Sequence, residues 1–201
     1  VTLKVGLTGN VAAGKSTVLA LFRRWGAETI DTDVLAREAV SPGSPALAAI
    51  LKRFGDDLRL PDGGLDRAAL RRRVMRDDEQ RAVLNAIVHP EVARRSAELT
   101  ADAERRGARI LVADIPLLFE VLDPAQFDAV VLVDAPVALR RERLARQRGF
   151  TPEECDDLVG AQLPSRLKRD KSHHVIDNDG TLETLETRAR EVWLDLLRRT
   201  G

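Results

Sequence analysis

The chain holds 201 residues, 44% of them hydrophobic and 32% charged. That balance suits one sizeable globular core and excludes a disordered chain; no apolar run approaches the ~18 residues that a helical membrane span needs. Basic and acidic residues stand at 32 each, which argues against a nucleic-acid binder, a class that usually carries a basic excess. Cys155 is the single cysteine, so no internal disulfide can form and a reducing, cytoplasmic setting is expected. No charged leader with a long apolar stretch opens the chain, and no export signal is expected. Arginine far outnumbers lysine, as codon bias alone would produce, so the arginines carry meaning only position by position.

In chain order, the apolar run Leu3–Thr8 predicts a buried strand. Val18, Leu19, Leu21 and Phe22 have helical spacing, which predicts a helix over Ser16–Trp25 stopped by Gly26. A brief strand at Ala27–Asp31 precedes helices at Asp33–Val40 and Ala46–Phe54, closed by Ser41-Pro42-Gly43 and Gly55. Residues 56–66, with Gly63-Gly64, predict a loop. Arg67–Arg106 is helical in pattern and heavily charged; Pro90 disfavours helix at the residue before it, so a break is expected at His89. Ile110–Ala113 and Ala129–Val133 are continuous apolar runs of parallel-strand type. Val137–Arg148 reads as an arginine-rich helix, and Thr151–Glu154 as a helix start with capping-box spacing. His174–Ile176 reads as a fifth strand and Leu182–Arg199 as the final helix. Strands alternating with helices imply an α/β fold with a parallel sheet covered on both faces. Segments of about 56–95 and 136–168 are the candidate inserted subdomains.

One motif carries the chemistry. Gly9-Asn10-Val11-Ala12-Ala13-Gly14-Lys15-Ser16 fits G-x-x-x-x-G-K-[ST], between a strand and a helix. The glycines let the backbone turn its N–H groups onto phosphate oxygens, and the helix adds its positive end. Lys15 would reach the outer phosphates and the Ser16 hydroxyl would hold Mg2+. The second strand ends Ile30-Asp31-Thr32-Asp33, and ligands of open parallel sheets sit at the carboxyl ends of strands. One carboxylate could take a proton from an acceptor hydroxyl and the other order water around Mg2+; equally, Asp33 could cap the next helix.

With these pieces in place the chain resembles the dephospho-coenzyme A kinase family. The resemblance rests on Val5–Gly9 with Gly14–Thr17, Ile30–Asp33 with Ala36-Arg37, Ile87–Pro90, Asp114–Glu120, the spacing of Arg140, Arg143 and Arg146, and Val175–Asn178, in the family's order over nearly the whole chain. It implies a P-loop three-layer kinase with a helical acceptor subdomain at about 56–95 and a lid at about 136–168. The implied reaction is ATP-dependent phosphorylation of the ribose 3′-hydroxyl of dephospho-CoA. Asp33 matches the general base, with Lys15 and Arg140 as its catalytic companions. Gly9 through Thr17, with Arg143 and Asn178, would bind ATP, Asn178 from a segment near the adenine. Asp31, Asp33, Arg37, His89, Asp114 and Leu117 would face the acceptor. The implied partners are ATP, Mg2+ and dephospho-CoA, with no nucleic acid or membrane, and a monomer is expected. The chain departs from the family pattern at Asn10 and Ala12, where glycine is usual, at Ala13, often serine, at Leu158, often arginine, and at Ser172-His173, commonly Ala-Asp.

The remaining residues have competing readings. Arg140, Arg143 and Arg146 share a helix face, either as a lid over phosphates or as a solvated, ion-paired surface. Asp114 could order Mg2+-bound water, contact the acceptor, or cap a turn. His89 fits a polar contact to the acceptor better than a base. His173 and His174 point opposite ways along a strand and make a poor metal pair. Trp25 and Trp193 read as core. Two rival functions stay open: another small-molecule kinase of this fold, or a nucleotide-operated switch that phosphorylates no small molecule.

Overall fold

A computed structural model describes residues 1–74 and 77–200, together with the backbone but not the side chain of Arg148. The helical expectation at residues 75 and 76 lies outside the described residues. Five strands form one sheet: β1 (Leu3–Gly9), β2 (Glu28–Asp31), β3 (Ile110–Asp114), β4 (Ala129–Asp134) and β5 (His174–Asp177), in the order β2-β3-β1-β4-β5. β1 lies between β3 and β4, parallel to both, and β4 pairs parallel with β5. Every residue of β3 and β4 is buried, which is why both appear in the sequence as unbroken apolar runs.

Side-chain alternation sorts these runs onto two faces. Val5, Leu7, Val112, Val131 and Val133 share a core with α1 (Lys15–Arg24) and the last helix, which spans Leu182–Arg198. Phe22, Trp25 and Trp193 close that core with tilted ring contacts at 5.5–6.2 Å. On the other face Ala113 and Val130 pack with Leu118, Phe119 and Phe127. The α/β expectation therefore holds, with the sheet between two covering layers.

The chain divides into two compact units, one of Val1–Ile30 with the chain from Asp102 onward, the other of Asp31–Ala101. The second has its own core. α2 (Thr32–Ala39), α3 (Pro45–Phe54), α4 (Arg67–Val74) and α5 (Asp78–Arg105) contribute to this unit, and Ile50, Leu51, Leu58 and Leu70 are buried in its cluster. Residues 56–66 are more ordered than a plain loop. A 3-10 turn at Asp56–Leu58 leads into a single antiparallel bridge between Arg59 and Leu65.

One expectation fails. The helix does not break at His89; α5 runs unbroken with Pro90 inside it. Proline removes an N–H that the carbonyl of Ala86 would otherwise receive. Packing of Val83, Leu84, Ile87 and Val88 against the core of the second unit holds the preceding turns in place, so tertiary contacts outweigh the local preference.

The first unit completes itself with a helical run after β4. α6 (Leu118–Val121) follows β3. α7 (Val137–Arg148), α8 (Pro152–Gly160) and the short α9 (Ser165–Asp170) lead from β4 to β5, before the final helix α10 (Leu182–Arg198). Thr151 and Glu154 form the expected capping box at α8. α6 and α9 had no counterpart among the sequence-based expectations. Among the described residues, no helix is long and apolar enough to cross a membrane.

Candidate active site

The loop between β1 and α1 has the geometry its sequence requires. Gly9 is glycine because a Cβ there would meet the Val133 carbonyl oxygen at 2.7 Å. The loop closes with the Ala13 N–H donating to the Asn10 carbonyl at 3.0 Å. Gly14 starts α1 in the left-handed region, φ 96°, and no side chain caps the helix. The N–H groups of the first turn are thus not taken by a cap, the arrangement that suits an anion. Ala12 also lies in the left-handed region, φ 58°, alone among the described non-glycine residues. It is one of the two loop positions where the resemblance leads one to expect glycine.

Lys15 begins α1, and its ammonium pairs with the carboxylate of Asp114 at the end of β3. Both side chains are largely buried. β3 registers beside β1 with Asp114 opposite Leu7, so sheet pairing brings a residue ninety-nine positions away to the phosphate loop. Ser16 is exposed, as is Leu117, just before α6.

The three candidate arginines of α7, Arg140, Arg143 and Arg146, occupy different environments. Arg140 is buried, and its Nε donates to the Ala135 carbonyl at 3.1 Å. Burial lowers its pKa, and Asp134 opposes that shift. Arg143 reaches the phosphate loop: one terminal nitrogen donates to the Ala12 carbonyl at 3.2 Å and the other to the Asn178 carbonyl at 3.1 Å. Arg146 is exposed. The buried Asn178 side chain donates to the Ala13 carbonyl at 2.8 Å, so it braces the loop from behind.

In the second unit, Asp31 settles which carboxylate caps α2. Its Oδ1 accepts from the Asp33 and Val34 N–H groups, each at 3.0 Å. The carboxylate of Asp33 is left exposed in the first helical turn and has no capping duty. Arg37 follows one turn later on the same face, also exposed. His89 is exposed in mid-helix.

Several polar residues of the first unit carry no local signal in the sequence. Asp134, at the end of β4, is buried. Its Oδ1 accepts from Asn10 at 3.3 Å, from Ser165 at 3.0 Å and from the Ala135 N–H at 3.0 Å. Arg169 bridges Asp134 and Asp177, and those bonds raise its pKa, Asp177 contributing most. Gln162 accepts from the Val11 N–H at 2.7 Å. Fully buried Lys168 pairs with Glu120 at 2.7 Å. The sole hint was Asn10, since a buried amide in a glycine's place needs partners. The adjacent histidines have structural uses: His173 Nδ1 accepts from the Val130 N–H at 3.0 Å, and His174 lies 3.5 Å from Asp195.

Comparison with known proteins agrees with this geometry. A family model described as dephospho-CoA kinase matches residues 3–184. A Thermobifida fusca protein named dephospho-CoA kinase is 45% identical over 197 residues, covering 98% of each chain. A Corynebacterium glutamicum protein of the same name is 41% identical over 199 residues, 99% of this chain and 100% of the other. A crystal structure from Thermus thermophilus superposes with a TM-score of 0.83 at 38% identity, covering 98% of both chains. The chain belongs to the dephospho-CoA kinase family.

Proposed function

We propose that this protein transfers the γ-phosphoryl group of MgATP to the ribose 3′-hydroxyl of dephospho-CoA, giving CoA and ADP. The observation that carries the reading is the loop from Gly9 to Ser16. It opens an uncapped helix N-terminus, with Lys15 held beside Asp114, in a chain of this kinase family. The loop from Gly9 to Thr17, with the start of α1, holds the triphosphate, and Lys15 exchanges Asp114 for phosphate oxygens. Arg143 carries five N–H donors, more than its two carbonyl contacts use. It balances charge on the transferring group, and Arg140 supports it from the same helix. Arg37, His89, Asp31, Asp114 and Leu117 bind the acceptor. Asn178 serves the nucleotide side. Asp33 accepts the hydroxyl proton as that oxygen attacks phosphorus and the bond to the ADP oxygen breaks. Residues 56–95 act as the acceptor subdomain and 136–168 as a lid that excludes water.

Among the described residues no cluster of three or more His, Cys, Asp or Glu could hold a metal alone. Mg2+ needs no such cage: it takes oxygen donors, few from protein and the rest from phosphates and water. The exposed Ser16 hydroxyl and the Asp114 carboxylate are of that type. When bound, Mg2+ neutralises phosphate charge during transfer. The protein works as a monomer in the cytoplasm, in keeping with its single, buried, free thiol at Cys155.

The test compares acceptors. With MgATP, dephospho-CoA should be phosphorylated far faster than shikimate, nucleosides or sugars. Preference for one of those, or ATP hydrolysis without any phosphorylated acceptor, contradicts the reading.

A further inference from the structure

Four successive residues of the phosphate loop are each gripped by the chain that follows β4. The Asn10 side chain donates to Ser165 Oγ at 2.8 Å and to Asp134. The Val11 N–H donates to Gln162. The Ala12 carbonyl accepts from Arg143 and the Ala13 carbonyl from Asn178. The loop needs this grip for two reasons. Asn10 is buried at 3% exposure, so its amide N–H groups must find acceptors inside the protein. Ala12 holds a backbone angle that alanine avoids, and such a conformation persists only where surrounding contacts over-determine it. A loop with glycine at both positions would have neither requirement.

We infer that Ser165 is a positioning residue for the phosphate loop, matched to Asn10, so that nucleotide affinity depends on their contact. The Ser165 hydroxyl has two duties, accepting from Asn10 and donating to Asp134 at 3.0 Å. Both uses are satisfied at once, as the donor and acceptor inventory of a hydroxyl allows. Without that oxygen, the Asn10 amide keeps only the longer contact to Asp134, and one end of the loop loses its anchor. Ser165 touches no substrate in this scheme; it acts through Asn10. The inference rests on the loop binding nucleotide phosphates and is indifferent to which acceptor is used.

The test is a double-mutant cycle read by the Kd for MgATP, measured calorimetrically without acceptor, on Ser165→Ala, Asn10→Gly and the double variant. Ser165→Ala should weaken binding roughly five- to tenfold, the scale of one lost buried hydrogen bond. Ser165→Thr, which restores the hydroxyl, should return Kd to within about twofold of wild type. In the Asn10→Gly background the same serine change should leave Kd within about twofold. Equal weakening in both backgrounds, or failure of threonine to rescue, overturns the pairing. If Ser165→Ala does not fold, Asn10→Gly against the double variant decides: equal Kd supports the pairing and unequal Kd overturns it. Wild-type protein that binds no MgATP sinks the proposed function and this inference together. Wild-type binding with no effect of Ser165→Ala sinks the inference alone.

Discussion

Substituting alanine for Gly14 should damage the phosphate loop by two separable routes. Gly14 has φ 96°, where an L-residue is strained by roughly 1–2 kcal/mol. The added Cβ would also collide with the amide nitrogen of Asn178. That nitrogen is already committed to the Ala13 carbonyl. Moving it breaks a buried hydrogen bond, a further loss of about 1–1.5 kcal/mol. Against this, alanine restricts the unfolded chain and returns about 0.4–1 kcal/mol. The net expectation is a destabilisation of about 2 kcal/mol, or a fall in Tm of about 4–8 °C for a chain of this size. Thermal unfolding of Gly14→Ala, Asn178→Ala and the double variant separates the routes. With Asn178 truncated the collision disappears and only backbone strain remains, so the two changes should couple by about 1 kcal/mol. Additivity within about 0.5 kcal/mol, or a stabilised Gly14→Ala, would refute the reasoning.

Other perturbations test other parts of the account. Asp33→Asn should leave MgATP affinity nearly intact and cut turnover by ~10²-fold or more; near-normal turnover in steady-state assays removes Asp33 from the base role. Trp193→Ala removes one of the three mutually touching rings of the cluster with Phe22 and Trp25 and should cost about 3–5 kcal/mol in urea unfolding. A loss under 1 kcal/mol would mean that the cluster collapses at little cost. Burial holds the His174 imidazole below its ordinary 6.5, with Asp195 opposing. The unfolded chain therefore takes up this proton first, and stability present above about pH 6.5 falls as the pH drops below it. His174→Leu should show a smaller drop in unfolding free energy between pH 7.5 and 5.5 (roughly the range the group spans) than wild type; an equal or larger drop contradicts the assignment.

The sheet was legible because β3 and β4 are buried on both faces and therefore appear as uninterrupted apolar runs. The phosphate loop was legible because its chemistry constrains residues that are consecutive in the chain. His89-Pro90 misled for a physical reason: proline's local preference is small beside the packing of Val83, Leu84, Ile87 and Val88. α9 left no trace because six residues are too few to show a period. Asp33 was the candidate cap of α2, but the helix starts one residue earlier than the sequence pattern implies, and the backbone gives the cap to Asp31. The contacts of Asn10 with Asp134 and Ser165 span 124 and 155 positions. No local pattern encodes such pairs; only the asparagine in a glycine's place hinted that partners were required.

The central claim is tested most directly by identifying the product formed from MgATP and dephospho-CoA. Mass spectrometry and phosphorus NMR should show one phosphate added at the ribose 3′-oxygen, with one ADP released for each CoA formed. ADP released without a 3′-phosphorylated product, or phosphate placed on another oxygen, would contradict the account.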